Sequence, residues 1–133
     1  MGALYPKFKE QLLQSQIDSL LYGSVKVMLI KNGYVYNEND RYVADISAYD
    51  GGRSALLQNK SVWNGVFDAD NIGVPVTSGG QIVALVLYID KGVDNLSPLI
   101  AYLDSVGGLP ITCVVNDIVY IIWDDGLYKI FSL

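Results

Sequence analysis

Hydrophobic positions change period once along this chain. Near the start, Phe8, Leu12 and Leu13 recur at helical spacing, with Leu20 and Leu21 beyond them and Lys7, Lys9, Glu10 and Gln11 in the gaps. That pattern predicts a helical segment over residues 1–21, regular to about Gln14. Pro6 suits the first helical position, where its missing N–H costs nothing. Gly23 is a natural stop, and Ile17-Asp18-Ser19 interrupts the stripe. From Ser24 onward the period falls to two. Val25, Val27 and Leu29 share one face of an expected strand, and the flanking Lys26 and Lys31 predict a partly wet side. Asn32-Gly33 then marks a turn.

Further strands are expected over 53–63 (interrupted near Asn59-Lys60), 65–70, 72–76, 81–89, 99–103, 111–115, 118–123 and 127–133. The turns between them fall at Ser78-Gly79-Gly80, Gly107-Gly108, Asn116-Asp117 and Asp124-Asp125-Gly126. The 81–89 run is the most β-branched and apolar, so it predicts a central strand buried on both faces. Residues 34–49, with Tyr34, Tyr36, Tyr42 and Tyr49 among Asn, Asp and Glu, predict an extended loop carrying a short helical or strand piece. About eight short strands at ~8–12-residue spacing, with no strand–helix–strand alternation, indicate an all-β, antiparallel β-sandwich. A single domain over 1–133 is expected, with 22–133 forming the sandwich and a short N-terminal helix before it.

Composition narrows the chemistry. Hydrophobic residues make up 51% of the 133 and charged ones 17%, which favours a packed core over disorder. Nine Lys plus Arg against fourteen Asp plus Glu give a net charge of −5, so no basic face for nucleic acid or membrane is expected. Arg41 and Arg53 are the only arginines, too few for a nucleic-acid groove. The chain has no histidine, which removes the commonest general base and every Ser-His or Cys-His pair. The longest apolar run is far short of the ~20 residues a membrane helix needs. The start lacks a signal-peptide pattern, and Gly2 misses a myristoylation motif because Pro6 stands where Ser or Thr is wanted. Synthesis and first folding in a cytosol are the corresponding expectation.

Each candidate motif has a simpler structural account. The lone Cys113 lies in an apolar extended run and reads as a small buried hydrophobe. Asp68-Ala69-Asp70-Asn71-Ile72-Gly73 opens like a calcium loop, but Ile72 occupies a ligand position and no Glu follows at the right distance. Asp124-Asp125 would be a carboxylate pair, yet adjacent strand residues point to opposite faces and Asp-Gly favours a turn. Asp90-Lys91-Gly92 and Asp94-Asn95 read as a solvated loop. Gly79-Gly80 and Gly107-Gly108 lack the spacing and the following helix of a phosphate cradle. Trp63 and Trp123 are expected in the core. The ten tyrosines divide between core and interface. No catalytic, cofactor-binding or metal-binding residue is assigned, and no cofactor is expected.

The second half of the chain has a recognisable succession: 65–70, then Ala84-Leu85-Val86-Leu87-Tyr88-Ile89-Asp90-Lys91-Gly92, then Ser97-Pro98-Leu99-Ile100-Ala101-Tyr102-Leu103-Asp104. Gly107-Gly108-Leu109-Pro110-Ile111-Thr112, Ile121-Ile122-Trp123-Asp124-Asp125-Gly126 and Lys129-Ile130-Phe131 continue it, and Phe8-Lys9-Glu10-Gln11-Leu12-Leu13, Ile17-Asp18 and Val25-Lys26-Val27 precede it in order. This succession resembles a family of small tailed-bacteriophage virion structural proteins, similar to capsid cement (decoration) proteins. One departure is Cys113-Val114-Val115, where such proteins carry a Gly/Asn-rich turn. The resemblance implies a jelly-roll-like sandwich, no enzymatic activity and a place in the virion. The implied role is to bind the outside of the head and stabilise contacts between subunits of the major capsid protein. Implied partners are that protein and the chain itself, as a homo-dimer or homo-trimer. A neck, tail or fibre component is the alternative, and a glycan- or small-molecule-binding sandwich is a third reading.

Overall fold

The apolar run that starts after Gly79-Gly80 becomes the spine to which the largest sheet attaches. The computed structural model describes residues 3–123 and 130–132. In chain order it contains β1 (Ala3–Leu4), α1 (Pro6–Leu13), β2 (Val25–Lys31), β3 (Asp50–Arg53), β4 (Ser61–Trp63) and β5 (Val66–Asp68). There follow β6 (Ile72–Pro75), β7 (Gly80–Ile89), β8 (Leu99–Leu103), β9 (Ile111–Cys113), β10 (Ile118–Ile121) and β11 (Phe131–Ser132). A six-stranded sheet runs β1-β8-β7-β2-β3, with β9 also on β7; β10-β6 and β11-β5-β4 are separate small sheets. Every strand pairing is antiparallel. The all-β antiparallel class expected from the sequence is the one that forms, with a main sheet and two smaller ones as its layers.

Ten-residue β7 is long enough to serve three neighbours. One edge pairs β2 along its length, while the other pairs β9 at Gly80–Ile82 and β8 from Leu85 to Tyr88. Opposed residues share a face, so Met28, Val86 and Tyr102 lie on one side and Leu29, Leu85 and Leu103 on the other. Both sets are largely shut off from solvent, and β7 is buried on both faces from Ala84 to Ile89. The expectation of a partly wet β2 is therefore corrected: Met28 and Ile30 are as buried as Val27 and Leu29, and only Lys26 and Lys31 keep their ends near water.

Different material covers each face. On the Tyr102 side lies the tyrosine-rich segment, which forms 3₁₀ turns at Val43–Asp45 and Ser47–Tyr49 and buries Val43 and Ile46 completely. Tyr34 and Tyr36 pack on Tyr102, Tyr36 packs on Tyr5, and Tyr49 packs on Tyr34, with ring centroids 5.2–5.6 Å apart. Asn32-Gly33 thus launches this strap and does not close a hairpin. On the Leu85 side β6 of the small β10-β6 sheet approaches. A Cβ on Gly52 would run into the carbonyl of Pro75, and φ of +145° there already favours glycine. Phe67 and Phe131 stack at 5.3 Å to join β5 and β11.

The expected helix over 1–21 is also corrected, because α1 ends at Leu13. Ser15 takes a left-handed φ of 56° while Gln16 N–H bonds Gln11 C=O and Ser15 N–H bonds Leu12 C=O. This is a Schellman closure with serine where glycine is usual, invisible to a search for the next glycine. The strand expected over 53–63 begins instead at Asp50, leaves after Arg53 and resumes at Ser61. Ser54 explains the exit: its Oγ accepts the N–H of Val27, replacing a ladder bond with a side-chain one. The strands at 111–115 and 118–123 end early, at Cys113 and Ile121. The Gly2 motif, Asp124-Asp125-Gly126 and the start of the 127–133 strand lie outside the described residues.

Gly52→Ala combines a strained φ with a backbone clash, so a loss of about 3 kcal/mol is expected. Urea unfolding followed by circular dichroism measures it, and a neutral result would mean that β6 does not approach β3 as described.

Candidate functional site

The residues that sequence motifs singled out are occupied in holding the fold. Asp70 accepts the Asn59 side-chain amide at 2.6 Å, Asn71 Oδ1 accepts Trp123 N–H at 2.9 Å, and the Trp123 indole N–H donates to Asp70 C=O at 3.0 Å. The calcium-like stretch is thus a clasp between the 68–73 segment and the end of β10. Among the described residues, no three His, Cys, Asp or Glu side chains lie close enough together to hold a metal ion. Cys113 is buried, and burial with Asp117 nearby pushes its thiol up, away from the nucleophilic thiolate. Gly79 lies against the backbone of Cys113 and Val114, while Gly107 and Gly108 face open space. Ser78 Oγ accepts Lys31 Nζ at 2.8 Å, a pair that ties the end of β2 to the turn before β7.

Arg53 is a clamp. Its guanidinium forms two hydrogen bonds to Asp94 at 2.7 and 2.9 Å and one to Asp50 at 2.8 Å, and it lies over the Tyr88 ring at 5.9 Å. The two carboxylates hold Arg53 above its ordinary range, and Arg53 in turn holds Asp94 below the usual carboxylate range. Burial, partly offset by Arg53, leaves the Tyr88 phenol pushed up to about 12. Lys26 bonds Asp90 at 2.7 Å and lowers that carboxyl as well. Across the sheet's Tyr102 side, Tyr5 and Tyr34 share a 2.9 Å hydroxyl bond, and Tyr34 donates to Asp40 at 2.7 Å. Burial raises both phenols and Asp40, although the Tyr34 hydrogen bond pulls Asp40 partly back. These networks hold the strap and the Asp94 turn to the sheet.

Large apolar side chains also lie on the surface. The sequence reading expected Trp63 in the core, but it is 82% exposed beside Val62 on β4, next to the Asn64-Gly65 turn with φ of 52° and 77°. The core position belongs to Trp123. A larger surface surrounds β9, the following turn and β10. Ile111, Val114, Val115, Ile118, Tyr120 and Ile122 are all exposed there, and they adjoin a groove of about 440 Å³. Leu85, Val106, Leu109, Cys113 and Ile121 are among its lining. The turn between the strands is fixed by Asn116 at φ 77° and by Asp117 Oδ2, which accepts Val114 N–H at 3.0 Å. β9 pairs β7 while β10 pairs β6, so the two strands splay and leave the groove between them.

Sequence reasoning placed these strands and did not recognise their surface. A signal was present: from Val106 to Trp123 the only Asp, Glu, Lys or Arg is Asp117, and alternate positions of β10 are apolar on both faces. Compared with family models, curated proteins and solved structures, the chain matches none.

The carboxylate of Asp94 has a folded pKa below its unfolded value. Its stabilisation is therefore present above about pH 4 and lost as pH falls through the lowered folded value. The pair is partly exposed, so solvent screening limits it to about 1 kcal/mol. Asp94→Asn should lower the urea midpoint at pH 7, and the gap to the parent should close towards pH 2. An equal gap at both pH values would assign the effect to packing.

Proposed function

We propose that this chain is a non-enzymatic virion structural protein that acts by adhesion, as a cement protein on the outside of a phage head. The observation that supports adhesion is the distribution of groups. Arg53, Asp94, Tyr34, Asp40, Asp70 and Asn71 are engaged in clamps, while large apolar side chains are displayed at two places, at Val62-Trp63 and around β9–β10. Exposed apolar surfaces of this kind mark contact sites. Two of them suit a protein that must hold both its own copies and a shell. The virion setting rests on the strand-and-turn succession that resembles cement proteins. In this reading each copy docks across a joint between major capsid protein subunits, and many symmetric copies multiply a modest contact by avidity. The net charge of −5 keeps the protein off packaged nucleic acid.

Quantitative mass spectrometry of purified particles from a phage encoding this chain tests the proposal. Copy numbers in the hundreds support the shell position, a few rings of copies assign it to the neck or tail, and absence from the particle overturns it. With isolated heads, Trp63→Ser should reduce occupancy at least ~10-fold if that hairpin docks on the shell.

A further inference from the structure

We propose that the β9–β10 face is a self-association surface, where a second copy of this chain packs about a two-fold axis. This inference deepens the adhesive reading by naming the surface, but it rests on the face alone and not on the virion setting.

The backbone carries the first part of the argument. β10 pairs with β6 in the register Ile118↔Pro75, Val119↔Val74, Tyr120↔Gly73 and Ile121↔Ile72. Val76 N–H bonds Asp117 C=O, so Asp117 lies in a hydrogen-bonded position. Antiparallel ladders alternate, which puts Val119 and Ile121 in the other hydrogen-bonded positions and turns the amides of Ile118 and Tyr120 away from β6. Pro75, which has no N–H, stands opposite Ile118 at a position where none is needed. Among the described residues, β10 has no strand partner on that outward edge. Edges of this kind are normally blunted by lysine, proline or a bulge. Here the outward positions are Ile118 and Tyr120, followed by Ile122.

The second part is area and charge. Ile118, Tyr120 and Ile122 are 69%, 65% and 70% exposed, and Val114, Val115 and Ile111 are 65%, 53% and 44% exposed. Together they present on the order of 700 Å², close to the ~800 Å² per partner of a standard specific interface. Among the described residues the face carries one carboxylate, Asp117, which accepts Val114 N–H. The described part of this face therefore brings few like charges together when two copies of a chain with net charge −5 meet. The row Ile118, Tyr120, Ile122 forms part of the wall of the groove that β9 and the 106–109 loop also line, and in the proposed dimer a two-fold axis brings the two walls together.

Sedimentation velocity on the full chain over a concentration series tests this. The parent should be a dimer with micromolar dissociation. Ile118→Lys and, separately, Tyr120→Lys should weaken it at least ~10-fold while leaving the circular dichroism spectrum unchanged, and the Tm unchanged at concentrations where the parent is monomeric, since both side chains face solvent in the single copy. Leu96→Lys, exposed elsewhere, should leave the dimer intact. Hydrogen exchange of the parent adds a readout independent of any variant: the Ile118 and Tyr120 amides should gain protection as concentration rises. A parent that stays monomeric into the hundreds of micromolar, a dimer indifferent to both lysines, or exchange at β10 independent of concentration each overturns the proposal. A monomer that still occupies phage heads would overturn the self-contact and leave the virion reading standing.

Discussion

The architecture depends on one requirement, that β7 be covered on both faces. From Ala84 to Ile89 every side chain is buried, although neighbours alternate between opposite sides of the sheet. An antiparallel sheet can leave one side wet and still be stable. This one cannot, because Val86 and Leu85 point in opposite directions and both are apolar. Each face must therefore acquire a lid, and the chain supplies two of different kinds: a tyrosine-rich strap with 3₁₀ turns on one side and the small β10-β6 sheet on the other.

Those lids explain how the polar groups are used. A strap rich in Asn, Asp and Tyr is a poor hydrophobic cover unless its polar atoms are satisfied among themselves. Tyr5, Tyr34 and Asp40 meet that need with a chain of hydroxyl and carboxylate bonds, and the rings supply the apolar area. Arg53 does the same at the other end of the face, pairing two carboxylates and covering the Tyr88 ring. Chemistry-bearing residues are thus consumed by structure. The same physics that makes Asp68-Ala69-Asp70-Asn71 look like a ligand set makes it a good clasp, since an oxygen able to bind a cation is equally able to accept an indole or amide N–H.

The β10-β6 sheet covers one face and in doing so creates a new surface. Once β10 has spent one edge on β6 and buried Ile121, its alternate residues have nowhere to go but outward. The exposed row and the neighbouring groove are by-products of covering β7, and they are also the most sociable part of the described molecule.

Period-two patterning alone specified the strand class, the bounds of β2 and β8 and the double burial of β7, because alternation and β-branching are local properties of the chain. It placed the end of the regular helix near Gln14 but not the closure there, where hydrogen bonds hold Ser15 in a left-handed conformation usually reserved for glycine and stop the helical segment short of 21. It also missed the fates of Trp63 and the β10 row. Whether an apolar strand lies inside or at the rim depends on which strand pairs with which across many residues, and hydrophobicity carries no record of that choice. The identity of the lids, the splaying of β9 from β10 and the apolar face left between them were decided by tertiary pairing, since only the competition among edges determines which strand is left without a neighbour.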